Sequence, residues 1–164
     1  MTGLVVFSFG SPNWLNSNLR LAESALELSA THNIEHIICQ RWIKFNFSSP
    51  RVLVCEEERD SSDSTLNFSY QVVRWCREKN INKLYVIAAP PHRKRCVRDL
   101  SNLFYEANIK VNLEEYRGDD SLVGEIWFNS ESTKSSTKNF YFWWGREIFI
   151  RALPWKIYKQ SRLF

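Results

Sequence analysis

Leu4-Val5-Val6-Phe7-Ser8-Phe9-Gly10-Ser11-Pro12 is the stretch on which the fold turns. A nearly unbroken apolar run closed by Gly-Ser-Pro reads as a strand buried on both faces, the kind a parallel sheet covered by helices needs. Lys83-Leu84-Tyr85-Val86-Ile87-Ala88-Ala89, broken by Pro90-Pro91, repeats the pattern. Shorter β runs occupy residues 35–40, 51–55 and 110–114, and the period-two alternation of the last fits a strand near an edge.

Helical spacing fills the gaps. Leu15, Leu19, Ala22 and Leu26 recur at intervals of four, three and four, which predicts one amphipathic stripe over residues 13–29. A second helix starts near Ser64 and buries Phe68, Val72, Trp75 and Cys76. A third, with Pro91 in its first turn, buries Cys96, Leu100, Leu103, Phe104 and Ala107. Residues 41–50 are too poor in helix signals for a crossover helix, which leaves the partner and direction of the second strand open. The alternation predicts an α/β fold: three-layer, doubly wound and Rossmann-like, with a mainly parallel sheet and helices on both faces.

The polar residues 118–138, with a Ser/Thr-rich run at 130–137, predict a mobile loop. Residues 139–160 predict a C-terminal aromatic helix that Pro154 ends or kinks. Its apolar face of Phe140, Trp143, Trp144, Ile148 and Ala152 is expected to cover the sheet.

With 164 residues the chain fits one domain, 1–164. A net charge of +4 with no concentrated basic stripe argues against nucleic acid as a partner. Four cysteines without Cys-x-x-Cys spacing read as buried thiols in a reducing compartment. The start lacks a basic region before its apolar run, and no apolar stretch reaches the ~20 residues of a spanning helix, so a soluble, cytoplasmic protein is expected.

In such a sheet, ligands bind beyond the carboxyl ends of the strands. Two junctions there carry unusual residues, 56–67 and 90–98. His92, Arg93, Lys94, Arg95 and Arg98 crowd the start of the third helix, where the macrodipole disfavours cations. An anion or a neighbouring carboxylate should offset them, with free backbone N–H groups of the helix terminus helping to hold it. His92 lies one turn before Cys96 and should point into the cleft in its neutral form. Each feature has a plainer reading. Arg93, Lys94 and Arg98 suit a solvated face, Ser61 and Ser64 suit capping, Glu56-Glu57-Glu58 suits solvent, and Cys39 and Cys55 suit the core.

Glu58-x-x-Ser61-x-x-Ser64-x-x-Asn67, followed by Pro91-His92-Arg93-Lys94-Arg95-Cys96, resembles the signature of the YdcF/SanA/ElyC-like family, the YdcF-like domain of unknown function. The strand closing at Gly10, the run Arg20-Leu21-Ala22 with Ala25-Leu26, and the segment from Trp143 to Glu147 are similar too. Ser64 stands where the family usually has Thr, Cys96 where it has Ala, and the glycine pair after the second strand is absent.

The resemblance implies a small-ligand site, with His92 and Glu58 as catalytic positions and Gly10, Arg20, Ser61, Ser64, Asn67 and Arg95 as ligand-binding ones. The basic turn from His92 to Arg98 points to an anionic ligand, phosphate-bearing or nucleotide-like, or S-adenosylmethionine. Arg95 would hold the anion, the Ser and Asn side chains would orient it, and His92 would act as acid or base. A metal-assisted phosphoester hydrolase using Glu58 and Asp60 on Mg²⁺ or Mn²⁺ is a sharper variant. The alternative is a non-enzymatic partner- or membrane-surface-binding protein linked to envelope processes, working through the aromatic C-terminal helix. Burial of that helix on the sheet argues against the membrane version, and the oligomeric state is not legible.

Overall fold

A computed structural model of the chain describes residues 1–45, 53–57, 64–121 and 126–160. Five strands form one sheet in the order β3-β2-β1-β4-β5: β1 Thr2–Val6, β2 His36–Cys39, β3 Leu53–Glu56, β4 Lys83–Ile87 and β5 Asn112–Glu115. Every pairing is parallel. Val5 stands opposite both Ile38 and Val86, and Ile38 opposite Cys55. The open question about the second strand is thereby answered: it runs parallel between β1 and β3.

Alternation along β1 divides the core in two. Leu4, Val6 and Phe9 join Leu21, Ala25 and Leu28 of α1, Asn16–His32, on one face. Val5 and Phe7 join Phe68 and Val72 of α2, Thr65–Glu78, and Cys96 and Leu100 of α3, Pro90–Glu106, on the other. Each fully buried Phe or Leu contributes roughly 1.5–3 kcal/mol. Helices on both faces of a parallel sheet make the fold Rossmann-like, as the apolar strands required.

The local starts follow their sequence signals. Ser64 caps α2, its Oγ accepting from the Asn67 amide at 3.1 Å. Prolines 90 and 91 open α3.

Several expectations need correction. The inner face of α1 is Leu21, Ala22, Ser24, Ala25, Leu28 and Ser29, while Leu19 is exposed. Small Ser and Ala side chains let the helix lie close to the sheet, a contribution that counting leucines overlooks. Cys39, Cys76 and Cys96 are buried, but Cys55 is exposed, because β3 is an edge strand with all four residues exposed. The last strand begins at Asn112.

Of the segment 118–138, the described residues Asp119, Trp127, Ser132 and Thr137 are buried, and Ser135–Thr137 form a 3-10 turn. The C-terminal segment is two helices, α4 Phe140–Ala152 and α5 Trp155–Gln160, parted at Pro154. The buried residues of α4 are Trp143, Glu147 and Ile150, whereas Phe140 and Ile148 are exposed. Trp143 belongs to the α1 side of the core and Ile150 to the α2–α3 side, so α4 bridges the two halves.

Candidate functional site

His92 and Arg95 sit in the first turns of α3, one turn apart, and both are buried. The sequence of α3 puts them on the same side as Cys96 and Asp99, the inner side, so they are driven under cover with the core. Arg95 Nη2 lies 3.2 Å from His92 Nδ1 and donates to Thr65 Oγ1 at 3.1 Å. A guanidinium only donates, so His92 Nδ1 accepts and the ring proton rests on Nε2. That nitrogen faces Thr65 Oγ1 at 3.1 Å. Thr65, His92 and Arg95 thus close a three-membered polar ring between the starts of α2 and α3.

Aromatic rings wall this cluster. Trp143 packs edge-on to His92 with ring centres 5.3 Å apart, and Phe7 and Phe9 approach at 6.3 and 6.2 Å. Trp143 also lies under the Arg95 guanidinium, 5.4 Å from ring centre to Cζ. Burial, then the positive charges of Arg95, Arg146, Lys134 and Arg151, hold the His92 pKa well below its ordinary value. The imidazole is neutral at pH 7, as its place at a helix N-terminus predicts.

The carboxylate that faces the basic turn comes from α4. Glu147 Oε2 lies 3.4 Å from Arg95 Nη1, and its Oε1 lies 3.1 Å from Arg151 Nε. Arg93 pairs with Asp120 at 2.6 Å and Arg98 with Asp99 at 3.0 Å. Arg93 and Arg98 are therefore paired rather than part of a solvated face, whereas Lys94 is exposed as that reading expects. Asp99 is fully buried, and Tyr158 of α5 donates to it at 2.8 Å. Burial raises the Asp99 pKa. Arg146 is also affected: burial, and then repulsion from Arg95, pull its pKa down to about 10. Positive charge is thus in excess around His92.

The helix terminus contributes less than expected. Prolines 90 and 91 have no N–H, and the next two amides, of His92 and Arg93, both donate to Ala89 O, at 2.8 and 2.9 Å.

The remaining sequence-derived positions divide. Ser64 is beside the cluster but spends its hydroxyl on the cap, and Asn67 is an exposed residue of the first turn of α2. Gly10 adopts φ +86°, and a Cβ there would meet Ser132 Oγ at 2.9 Å and Thr137 Oγ1 at 3.0 Å, so its turn lies beneath the 132–137 segment. Arg20 is tied to the buried Asp119 at 2.9 Å and to Glu23 at 3.3 Å. Glu58, Asp60 and Ser61 lie outside the described residues. Among the described residues, no group of three or more His, Cys, Asp or Glu side chains is arranged to hold a metal ion.

Sequence reasoning passed over Thr65, whose position directly after the cap is its only local signal. It also left the Asp119-Asp120 pair inside a loop. The fold and cluster together define an α/β protein with a Rossmann-like parallel sheet and a basic, aromatic-walled cluster at the carboxyl edge. Comparison with protein-family models, curated proteins and solved structures finds no match for the chain.

Proposed function

We propose that the chain binds a small anionic ligand, phosphate-bearing or nucleotide-like, at the carboxyl edge of the sheet. The carrying observation is the state of Arg95. Its side chain is 4% exposed, and its Nε and Nη1 have no hydrogen-bond partner among the described residues. A buried guanidinium with unspent donors is costly, at about 1–3 kcal/mol for each missing bond. Glu147 supplies charge at 3.4 Å without a hydrogen bond. A phosphate oxygen that displaced this carboxylate would satisfy donors that Glu147 leaves idle. The excess of cations around His92 supports the same sign of ligand.

The cluster favours holding over reacting. His92 Nδ1 is engaged by Arg95 and Nε2 by Thr65, so neither nitrogen is free to take a proton from a substrate. Of the YdcF-like motif, His92 and Arg95 belong to this cluster, with Arg95 as the anion ligand.

Titration calorimetry of the full chain against AMP, glucose 6-phosphate and S-adenosylmethionine tests the proposal. Heat with at least one phosphate-bearing probe is expected, and Arg95→Gln should abolish it while circular dichroism stays unchanged. Uniformly absent heat from well-folded protein would sink the reading.

A further inference from the structure

Helix α4 is built inside out. Its buried positions include a carboxylate, Glu147, while Tyr141, Phe142, Ile148 and Phe149 are 81, 74, 60 and 57% exposed. These four sit at helical intervals of one, six and one, with Gly145 and Ala152 between and beyond them, which forms one continuous apolar stripe. Gly145 faces open space, since a Cβ there would meet nothing within 4 Å. On α5, Ile157 is 53% exposed and extends the surface. A run of large exposed apolar side chains confined to one element marks a contact surface.

Charge decides what covers it. Residues 138–160 carry Lys138, Arg146, Arg151, Lys156 and Lys159 against the single acid Glu147, which is buried. Arg151 answers Glu147 and Lys159 answers Glu106, and the exposed Lys138 and Lys156 leave the flanks of the stripe net cationic. A second copy would have to present the same patch in a two-fold contact, setting these cations against themselves. An anionic lipid surface neutralises them instead and takes aromatic side chains at headgroup depth. A cavity of about 390 Å³ adjoins the stripe, walled by the exposed Phe140 with Phe128 and Trp144 and flanked by Lys94 and Arg151, so cations and apolar surface continue together past the helix.

We infer that the outward face of α4, continued by α5, docks in the plane of an anionic membrane surface. Among the described residues no helix is long and apolar enough to cross a membrane, so the contact is one of lying on it. The stripe lies on the outward side of α4, whereas Arg95 meets the inward side through Trp143 and Glu147.

Sedimentation of the full chain with vesicles tests the inference, using phosphatidylcholine alone and a mixture of three parts phosphatidylcholine to one of phosphatidylglycerol. The chain should pellet with the mixed vesicles and much less with the neutral ones, and binding should weaken as salt rises from about 0.1 M to about 0.5 M. The double substitution Phe142→Ser, Phe149→Ser should weaken binding roughly tenfold or more without altering circular dichroism. A chain that stays in the supernatant, a double variant that binds undiminished, or a dimer in light scattering that Phe142→Ser dissociates would each overturn the proposal.

Discussion

Thr65 Oγ1 lies 3.1 Å from both His92 Nε2 and Arg95 Nη2, so one hydroxyl joins the start of α2 to the start of α3. Thr65→Val keeps the shape and deletes the oxygen. Two buried donors then lose their acceptor, and stability in urea denaturation should fall by about 1–3 kcal/mol. Thr65→Ser should restore most of it, which separates the hydroxyl from the methyl group.

Glu147 tests the balance of charge. Its carboxylate is 1% exposed and shared by Arg95 and Arg151. Glu147→Ala should cost about 3–5 kcal/mol, because it strands a buried guanidinium. Glu147→Gln removes the charge and keeps the size. Under the proposed function this variant should bind the active phosphate probe more tightly than the parent in calorimetry, the opposite of Arg95→Gln.

Acid stability follows from the depressed pKa of His92. The unfolded imidazole takes up its proton near pH ~6.5, whereas the folded one resists until well below that. Its contribution is therefore complete above about pH 6.5 and is lost as pH falls from there, with a slope of up to ~1.4 kcal/mol per pH unit. Asp99 acts in the opposite sense at the acid end, since its raised pKa lets the folded state bind a proton first. Chemical denaturation between pH 5 and 7 should show the slope, flattened in His92→Gln.

Gly10 is constrained twice, by its φ of +86° and by the hydroxyls of Ser132 and Thr137 within 3.0 Å of any added Cβ. Gly10→Ala should cost about 1–3 kcal/mol. Calorimetric melting measures the loss, and Ser132→Ala added to it should recover only a share of the steric part, since Thr137 Oγ1 and Leu15 Cδ1 still crowd the Cβ at 3.0 and 3.1 Å.

Much of the fold is written in local sequence. The apolar β1 and β4 runs, the Ser64 cap and the Pro90-Pro91 start need no distant information, because periodicity, capping and missing amides act within a few residues. The approximate place of His92 and Arg95 follows likewise from helical spacing. What the spacing left out was small residues: the inner face of α1 uses Ser and Ala as much as Leu.

The residue types of the basic turn, and the expectation that an anion or carboxylate faces it, belong to the sequence alone. Which carboxylate answers them was settled by tertiary structure: Asp120, 27 residues from Arg93, and Glu147 on a helix that crosses the carboxyl edge. Folding in three dimensions also placed Glu147 inward with Trp143 and Ile150, and Tyr141, Phe142, Ile148 and Phe149 outward. The reason is both electrostatic and hydrophobic: the buried Arg95 is met by the Glu147 carboxylate 3.4 Å away, while Trp143 and Ile150 pack on the same side of α4.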